Sequence, residues 1–227
     1  MKYQLTFGGL WAYWPDFLAG AWTTIEFTFV ATVLGLIIGI LGAVARGSSI
    51  AWFRILAGAY VELVRNTPFL IQIFFLYFGL ASLGVRLPIN VAAILAMVVN
   101  VGAYSTEIIR AGIEAVHPSQ VEAAESLGLS RFQIFRDIIL SPALERVYPS
   151  LTSQFTLMML MSSVTSQVSA EELTGAANNI QSITFRSMET YIIVGALYLL
   201  LTLLLKTGFW GLGKLIFPRR RRLGTPL

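Results

Sequence analysis

Within the long apolar runs of this sequence only a few side chains could do chemistry, and their types favour binding over bond-breaking. Glu62 and Arg65, and again Glu107 and Arg110, stand three residues apart. That spacing lets opposite charges meet on one helix face. Ionisable residues inside apolar runs are costly and default to a functional reading. Glu107 and Arg110 lie near the end of a run and are read as a structural ion pair, and Glu62 and Arg65, with the same spacing, are given the same role. Gln154, Met158, Met161 and Thr165 recur at helical spacing and make a soft stripe with polar ends. Such a stripe serves either as core filler or as the wall of a ligand site. Asn100 is a polar residue deep in the third run, and Glu26 is near enough to water to be given no role. There is no cysteine, which removes disulfides, thiolate catalysis and cysteine metal sites. The one histidine, His117, stands beside Pro118 in a polar stretch and reads as a loop or helix-entry residue; one His makes no metal site. An intramembrane enzyme would want paired carboxylates or clustered histidines in its spans, and the sequence has neither.

The elements that must hold these residues are apolar. The chain has 227 residues, 56% hydrophobic and 12% charged, with a mean hydropathy of +0.73. A soluble domain carries about 25% charged residues, so this one has too few to cover a water-facing surface. Runs near the ~20 residues that cross a bilayer recur throughout. Five spans are predicted, at 22–45, 55–81, 89–113, 150–169 and 190–213. Pro68 breaks the second, and Gly35, Gly39 and Gly42 put small residues on one face of the first. Only Lys2 is basic near the N-terminus and Asp16 interrupts the apolar residues there, so no cleavable signal peptide is expected.

Orientation follows from Lys and Arg near the span ends. One side holds Arg46, Arg54, Arg65, Arg110, Arg131, Arg136, Arg146, Lys206, Lys214 and Arg219 to Arg222, thirteen in all, and the other only Lys2, Arg86 and Arg186. The basic side is therefore predicted to be cytoplasmic, with the N-terminus outside and the C-terminus inside. The net charge of +4 then reflects topology and needs no nucleic acid. Arg219 to Arg222 read as pinning the last helix at an anionic leaflet, a specific lipid or partner contact being the alternative.

One segment on the basic side, 117–149, is too elaborate for a connector. Two capping boxes are predicted, Ser119 with Glu122 and Ser130 with Gln133. Gly128 lies between them, where a helix C-terminus favours a residue that tolerates positive φ. The expectation is a helix over 120–127, a turn, and a helix from 131 to about 140. Ala123 and Ala124 keep one surface low, so that another backbone can approach. Val121, Leu127, Leu129, Phe132 and Phe135 supply apolar contacts that a free loop would not need. The residues alone fit either a hairpin packed on its own bundle or one that docks a partner.

Glu122-Ala123-Ala124, then Gly128 six residues after the Glu, then Ile138 and Leu140, resembles the EAA signature of binding-protein-dependent ABC importer permeases. Arg65-Asn66-Thr67-Pro68, Gln72, Phe78-Gly79 and 104–113 are similar to the polar amino acid (histidine-type) branch. So are Glu172-Leu173-Thr174 and Thr184-Phe185-Arg186 with Glu189, in its outer loop. One departure is Leu140-Ser141-Pro142, where the usual Leu-Pro ending has its proline one place late, an offset expected to shift the start of the next helix. The resemblance makes the hairpin a coupling helix that docks on a cytoplasmic ATPase through Glu122, Ala123, Ala124, Leu127, Gly128, Leu129 and Phe132. Among relatives that carry basic amino acids, the positions of Gln154 and Met161 look like an acidic pair facing the ligand. Asn100 matches a ligand-side position, and the usual Lys-Asp-Thr is here Leu160-Met161-Ser162. A substrate pathway along Asn100, Gln154, Met158, Met161, Ser162 and Thr165 is the consequence.

The fold this implies is an all-α polytopic membrane protein, five helices with a coupling hairpin, as in type I ABC importer permeases. The function implied is the permease subunit of an amino acid importer in the bacterial inner membrane. Its expected partners are an identical or homologous permease, two ABC ATPases that bind ATP and Mg, a soluble extracytoplasmic binding protein, the amino acid and lipid. The chain itself would hold no cofactor and do no chemistry. The rival reading, a self-sufficient secondary transporter or channel, would favour internal repeats, broken midplane helices or a buried ion-coupling charge. None is evident from the sequence.

Overall fold

A computed structural model describes residues 4–217, and their regular structure is all helical, with no strand among them. Helix α1, Trp14–Arg46, begins eight residues before the predicted first span. Asp16, which interrupts the apolar pattern, occupies its first turn together with Pro15. Proline lacks a donor that this turn leaves unpaired anyway, and a carboxylate there meets the positive end of the helix dipole. The predicted second span is two helices, α2 at Ala51–Arg65 and α3 at Phe69–Ser82, bent by 110°. Thr67 precedes a proline, which steers it away from helix, and Pro68 cannot donate to the α2 carbonyls. The freed groups are met locally: Asn66 Nδ2 donates to the Glu62 carbonyl at 2.9 Å and Thr67 Oγ1 to that of Leu63 at 2.9 Å.

Helix α4, Ile89–Glu114, is the centre of the bundle, with Ala92, Ala93, Ala96, Met97 and Val101 wholly buried. Helix α1 lies against it through small residues. A Cβ on Gly35 would sit 2.5 Å from Val101, and one on Gly39 2.4 Å from Ser105, so only glycine permits this approach. Close backbone contact of this kind drives helix association in lipid, where apolar burial between helices contributes little.

Helix α5, Pro118–Ser126, follows α4. Helix α6 then runs without interruption over 131–161, where a hairpin helix ending near 140 and a separate span were predicted. Its stretch Ile134–Leu140 is π-helical. A π turn accommodates one extra residue in a helix. The proline standing one place late is thus absorbed without breaking the rod. From Ser162 to Val168 the chain tightens into a 3₁₀ helix, followed by α7, Leu173–Thr184, and α8, Ser187–Ile216. By length and apolarity α1, α4 and α8 could each cross a membrane, and the bent α2–α3 pair makes a fourth. The stretch 150–169, richer in Ser, Thr and Gln, falls outside that set. Helix α8 is outermost, with 11% of its apolar stretch buried. The arginine run at 219–222 lies outside the described residues.

Candidate functional site

Two sites emerge, a hairpin at one end of the bundle and a cleft beside the α2–α3 bend. In the hairpin, His117 caps α5: its Nδ1 accepts from the Ser119 N–H at 3.2 Å and lies 2.7 Å from Ser119 Oγ. The predicted Ser119–Glu122 box is therefore absent, because Pro118 takes the first turn and moves the cap upstream. At the other end the Leu129 N–H donates to the Ala124 carbonyl at 3.2 Å and the Gly128 N–H to that of Glu125 at 2.9 Å. That is a Schellman closure, and Gly128 adopts φ +75° to make it. The Ser130–Gln133 box forms in both directions, with the Ser130 N–H to Gln133 Oε1 at 2.8 Å and the Gln133 N–H to Ser130 Oγ at 3.4 Å.

This closure folds α5 back on the π-helical stretch of α6. The two alanines expected to share one open surface separate: Ala124 is buried with Ile134 in the hairpin's own seam, whereas Ala123 and Glu122 are exposed. Leu127 is 79% and Phe132 69% exposed at the tip, with Leu129 partly covered. Two large apolar side chains thus stand unburied on a polar turn.

The cleft, about 480 Å³, is lined by Arg65, Asn66, Thr67, Asn100, Tyr104, Gln154, Leu157 and Met161. Three predicted pathway residues, Asn100, Gln154 and Met161, thus come together. Met158, Ser162 and Thr165 do not. They are buried, Met158 in the central core and the hydroxyls bonded to the carbonyls of Met159 and Ser162 at 2.7 Å each. Helix α6 tightens at Ser162, and the 3₁₀ turn carries Thr165 off the α-helical stripe.

Arg65 is the one charged lining residue, and no lining residue is a carboxylate. Its predicted partner, Glu62, accepts instead from Asn66 Nδ2 at 3.0 Å, while the Arg65 guanidinium lies 5.4 Å over the Tyr104 ring. Gln72 is a residue to which the sequence reading gave no role. Its amide donates to the carbonyls of Val64 at 2.8 Å and Thr67 at 2.9 Å, and its oxygen accepts from Asn100 Nδ2 at 2.9 Å. One glutamine thereby ties the end of α2, the bend and α4 together, and shapes the cleft. An amide standing in an apolar run just past Thr-Pro is the signal that could have found it.

Glu107 and Arg110 do pair, with Arg110 Nε 3.1 Å from both carboxylate oxygens. Arg110 also meets Glu114, and Arg46 of α1 stands 3.9 Å from Glu107. The cluster fastens α1 to α4 at the hairpin end of the bundle.

Roughly 30 Å along α1 from Arg46, Glu172 is wholly buried. It caps α7, accepting from the N–H groups of Thr174 and Gly175 at 3.0 Å each, from Tyr198 OH at 2.6 Å and from Thr24 Oγ1 at 3.3 Å. Burial pushes its carboxyl above the ordinary range, against the lowering effect of these donors. The folded chain therefore binds a proton more readily here than the unfolded one, so stability falls as pH rises from the unfolded pKa to the folded one and is flat above. Glu172→Gln should keep the fold and remove this dependence. Glu172→Ala, which orphans several buried donors, should cost ~3 kcal/mol. Thermal unfolding in detergent across that pH window checks both. Equal loss in the two variants would contradict the capping role.

Three comparisons bear on these sites. The family model of "Binding-protein-dependent transport system inner membrane component" matches residues 12–222. The chain is similar to the nopaline transport system permease protein NocM of Agrobacterium fabrum, at 34% identity over 83% of this chain and 82% of that one. It is similar also to a putative glutamine transport system permease protein, GlnP, of Rickettsia bellii, at 33% identity over 82% and 86%. Among solved structures, an amino acid ABC transporter crystallised with histidines aligns over 97% of this chain and 100% of its own, with TM-score 0.85 and 36% identity. The MetNI methionine transporter, at 20% identity and TM-score 0.71 over 93% of this chain, shares the fold.

Proposed function

Since this chain belongs to the family of binding-protein-dependent transport system inner membrane components, we propose that it forms half of the pathway of an amino acid importer, coupled to ATP hydrolysis through its hairpin. As a permease subunit of an amino acid ABC importer it is a transport component, with the ATPase on a separate subunit. The observation that carries the coupling assignment is the hairpin tip, where Leu127 and Phe132 are exposed on a turn whose seam is already closed by Ala124 and Ile134. We assign the tip to a groove on the ATPase, with Glu122, Ala123, Gly128 and Leu129 completing the contact and Ala124 holding the hairpin shut. Two ATPases carrying ATP and Mg, a second permease and a soluble binding protein complete the assembly. The stretch 150–169 crosses as the fifth span.

The cleft at the bend is assigned to the ligand. Arg65 suits a carboxylate, and Gln154, Met161 and Asn100 offer neutral polar and soft contacts. A cationic side chain would keep much of its desolvation cost here, several kcal/mol in effective terms. The substrate is therefore a neutral or acidic amino acid, or the second permease supplies the carboxylate that a basic one needs.

Docking on a cytoplasmic ATPase needs the hairpin in the cytoplasm, which puts the α3–α4 turn outside. The chain has no native cysteine, so single cysteines report cleanly. Ser82→Cys should react with an impermeant thiol reagent in intact cells, and Ser130→Cys only after lysis. The opposite sidedness would overturn the orientation and the docking role together.

A further inference from the structure

A second cleft, of about 380 Å³, lies between α6 and α8 and belongs to neither site above. It is lined by Tyr148, Thr152, Ser153, Thr156, Lys206 and Trp210. At about 100° per residue, Thr152 and Thr156 point more than 90° away from Gln154, Leu157 and Met161 on the same helix. The two clefts thus open on different sides of α6, and this one opens beside the outermost helix.

Lys206 is exposed there, with no carboxylate in ion-pair distance among the described residues. It stands ten residues before the end of α8 at Ile216, about 15 Å along the axis. An ammonium on a lipid-facing helix is costly unless it reaches the interface and finds an anion. Tyr148 and Trp210 are the amphipathic rings that collect at headgroup level. Tyr148 OH donates to the Phe209 carbonyl at 2.6 Å, tying α6 to α8 beside the cleft, and Lys214 Nζ sits 3.3 Å from the centre of the Trp210 ring. On the Lys206 side, Leu199 and Leu203 are exposed toward the membrane interior, where acyl chains would lie.

We propose that this cleft binds the headgroup of an anionic phospholipid of the inner leaflet. Lys206 meets the phosphate, and the Ser153 hydroxyl donates to one of its oxygens. The proposal rests on the membrane reading but not on the identity of the transported amino acid.

The test is native mass spectrometry of the full chain purified in mild detergent, incubated with phosphatidylglycerol or with phosphatidylcholine of the same acyl chains. The wild type should retain phosphatidylglycerol about five-fold over phosphatidylcholine, the Boltzmann factor for one lysine at an anionic surface. Lys206→Gln should bring the ratio close to one, and Lys206→Arg should preserve it. Arg219 to Arg222 remain in every variant, so their charge cannot account for a loss. Equal retention of the two lipids by wild type, or an unchanged ratio in Lys206→Gln, would overturn the proposal. Release of phosphatidylglycerol by excess inorganic phosphate would overturn it too, by marking a soluble-phosphate site. Copurification of the ATPase, measured in parallel, reports separately on the importer assignment.

Discussion

Phe132→Asp should leave the chain folded and inserted while ATP-driven uptake falls to a few per cent of wild type. The side chain is 69% exposed, so its loss removes little internal packing and should not move the unfolding temperature. Against a partner it is the kind of aromatic anchor whose removal costs roughly 2–4 kcal/mol, or about 30- to 800-fold in affinity. An added carboxylate would also have to be desolvated in the groove. Leu127→Asp should behave alike. Ala124→Arg should instead destabilise the hairpin itself, because Ala124 is buried against the π-helical stretch and an arginine cannot be packed there. Gly128→Asp lies between these cases: nothing lies within 4 Å of where its Cβ would stand, but φ is +75°, so the backbone rather than the space resists by ~1 kcal/mol. Uptake and ATPase copurification are the readouts. Normal values for Phe132→Asp would remove the docking assignment.

Arg65→Gln should raise the KM for uptake at least ~30-fold with membrane levels unchanged, because a charge-paired contact to a ligand carboxylate is worth upwards of about 2 kcal/mol. Arg65→Lys should recover part of the loss, since it keeps the charge but gives up the planar fork that meets a carboxylate with two bonds. The converse change concerns the opposite wall. Gln154→Glu with Met161→Asp places two carboxylates on the cleft side of α6, and competition by arginine or lysine should then improve by an order of magnitude or more. A wild-type KM in Arg65→Gln, or an unaltered competition profile in the double variant, would show that the ligand passes elsewhere. Gln72→Ala should weaken uptake without touching the ligand directly, by releasing Asn100 and the α2–α3 bend.

The sequence was most legible where local rules act alone. The Ser130–Gln133 box and the positive φ at Gly128 follow from cap chemistry within a few residues, and both form. The apolar helices and the break at Pro68 follow from composition and from proline's missing donor. Misreadings arose where two local rules compete. Ser119 is a sound cap, but His117 followed by Pro118 is another, and the chain takes the earlier one. Asp16 reads as an interruption, but just after Pro15 it is equally a helix start. Pro142 reads as a boundary until a π turn upstream supplies the extra residue that lets the helix continue.

Tertiary partners decided the rest, and no single-helix pattern contains them. Met158 and Met161 share a helical face, yet one is buried in the core and the other lines the cleft. Glu62 and Arg65 have the same spacing as Glu107 and Arg110, but Tyr104 and Asn66 offer them other partners, so only the second pair forms. The role of Glu172 required Thr24 and Tyr198, on helices distant in sequence, to be brought to one place.

Coupling through the hairpin tip is tested most directly by photocrosslinking in native membranes. A benzoylphenylalanine placed at Phe132, in the chain expressed with its ATPase and second permease, should yield a covalent adduct with the ATPase. The same residue placed at Leu83, on the turn after α3, should yield none. Adducts from position 132 to lipid or to this chain alone, with the ATPase present and unlabelled, would contradict the account.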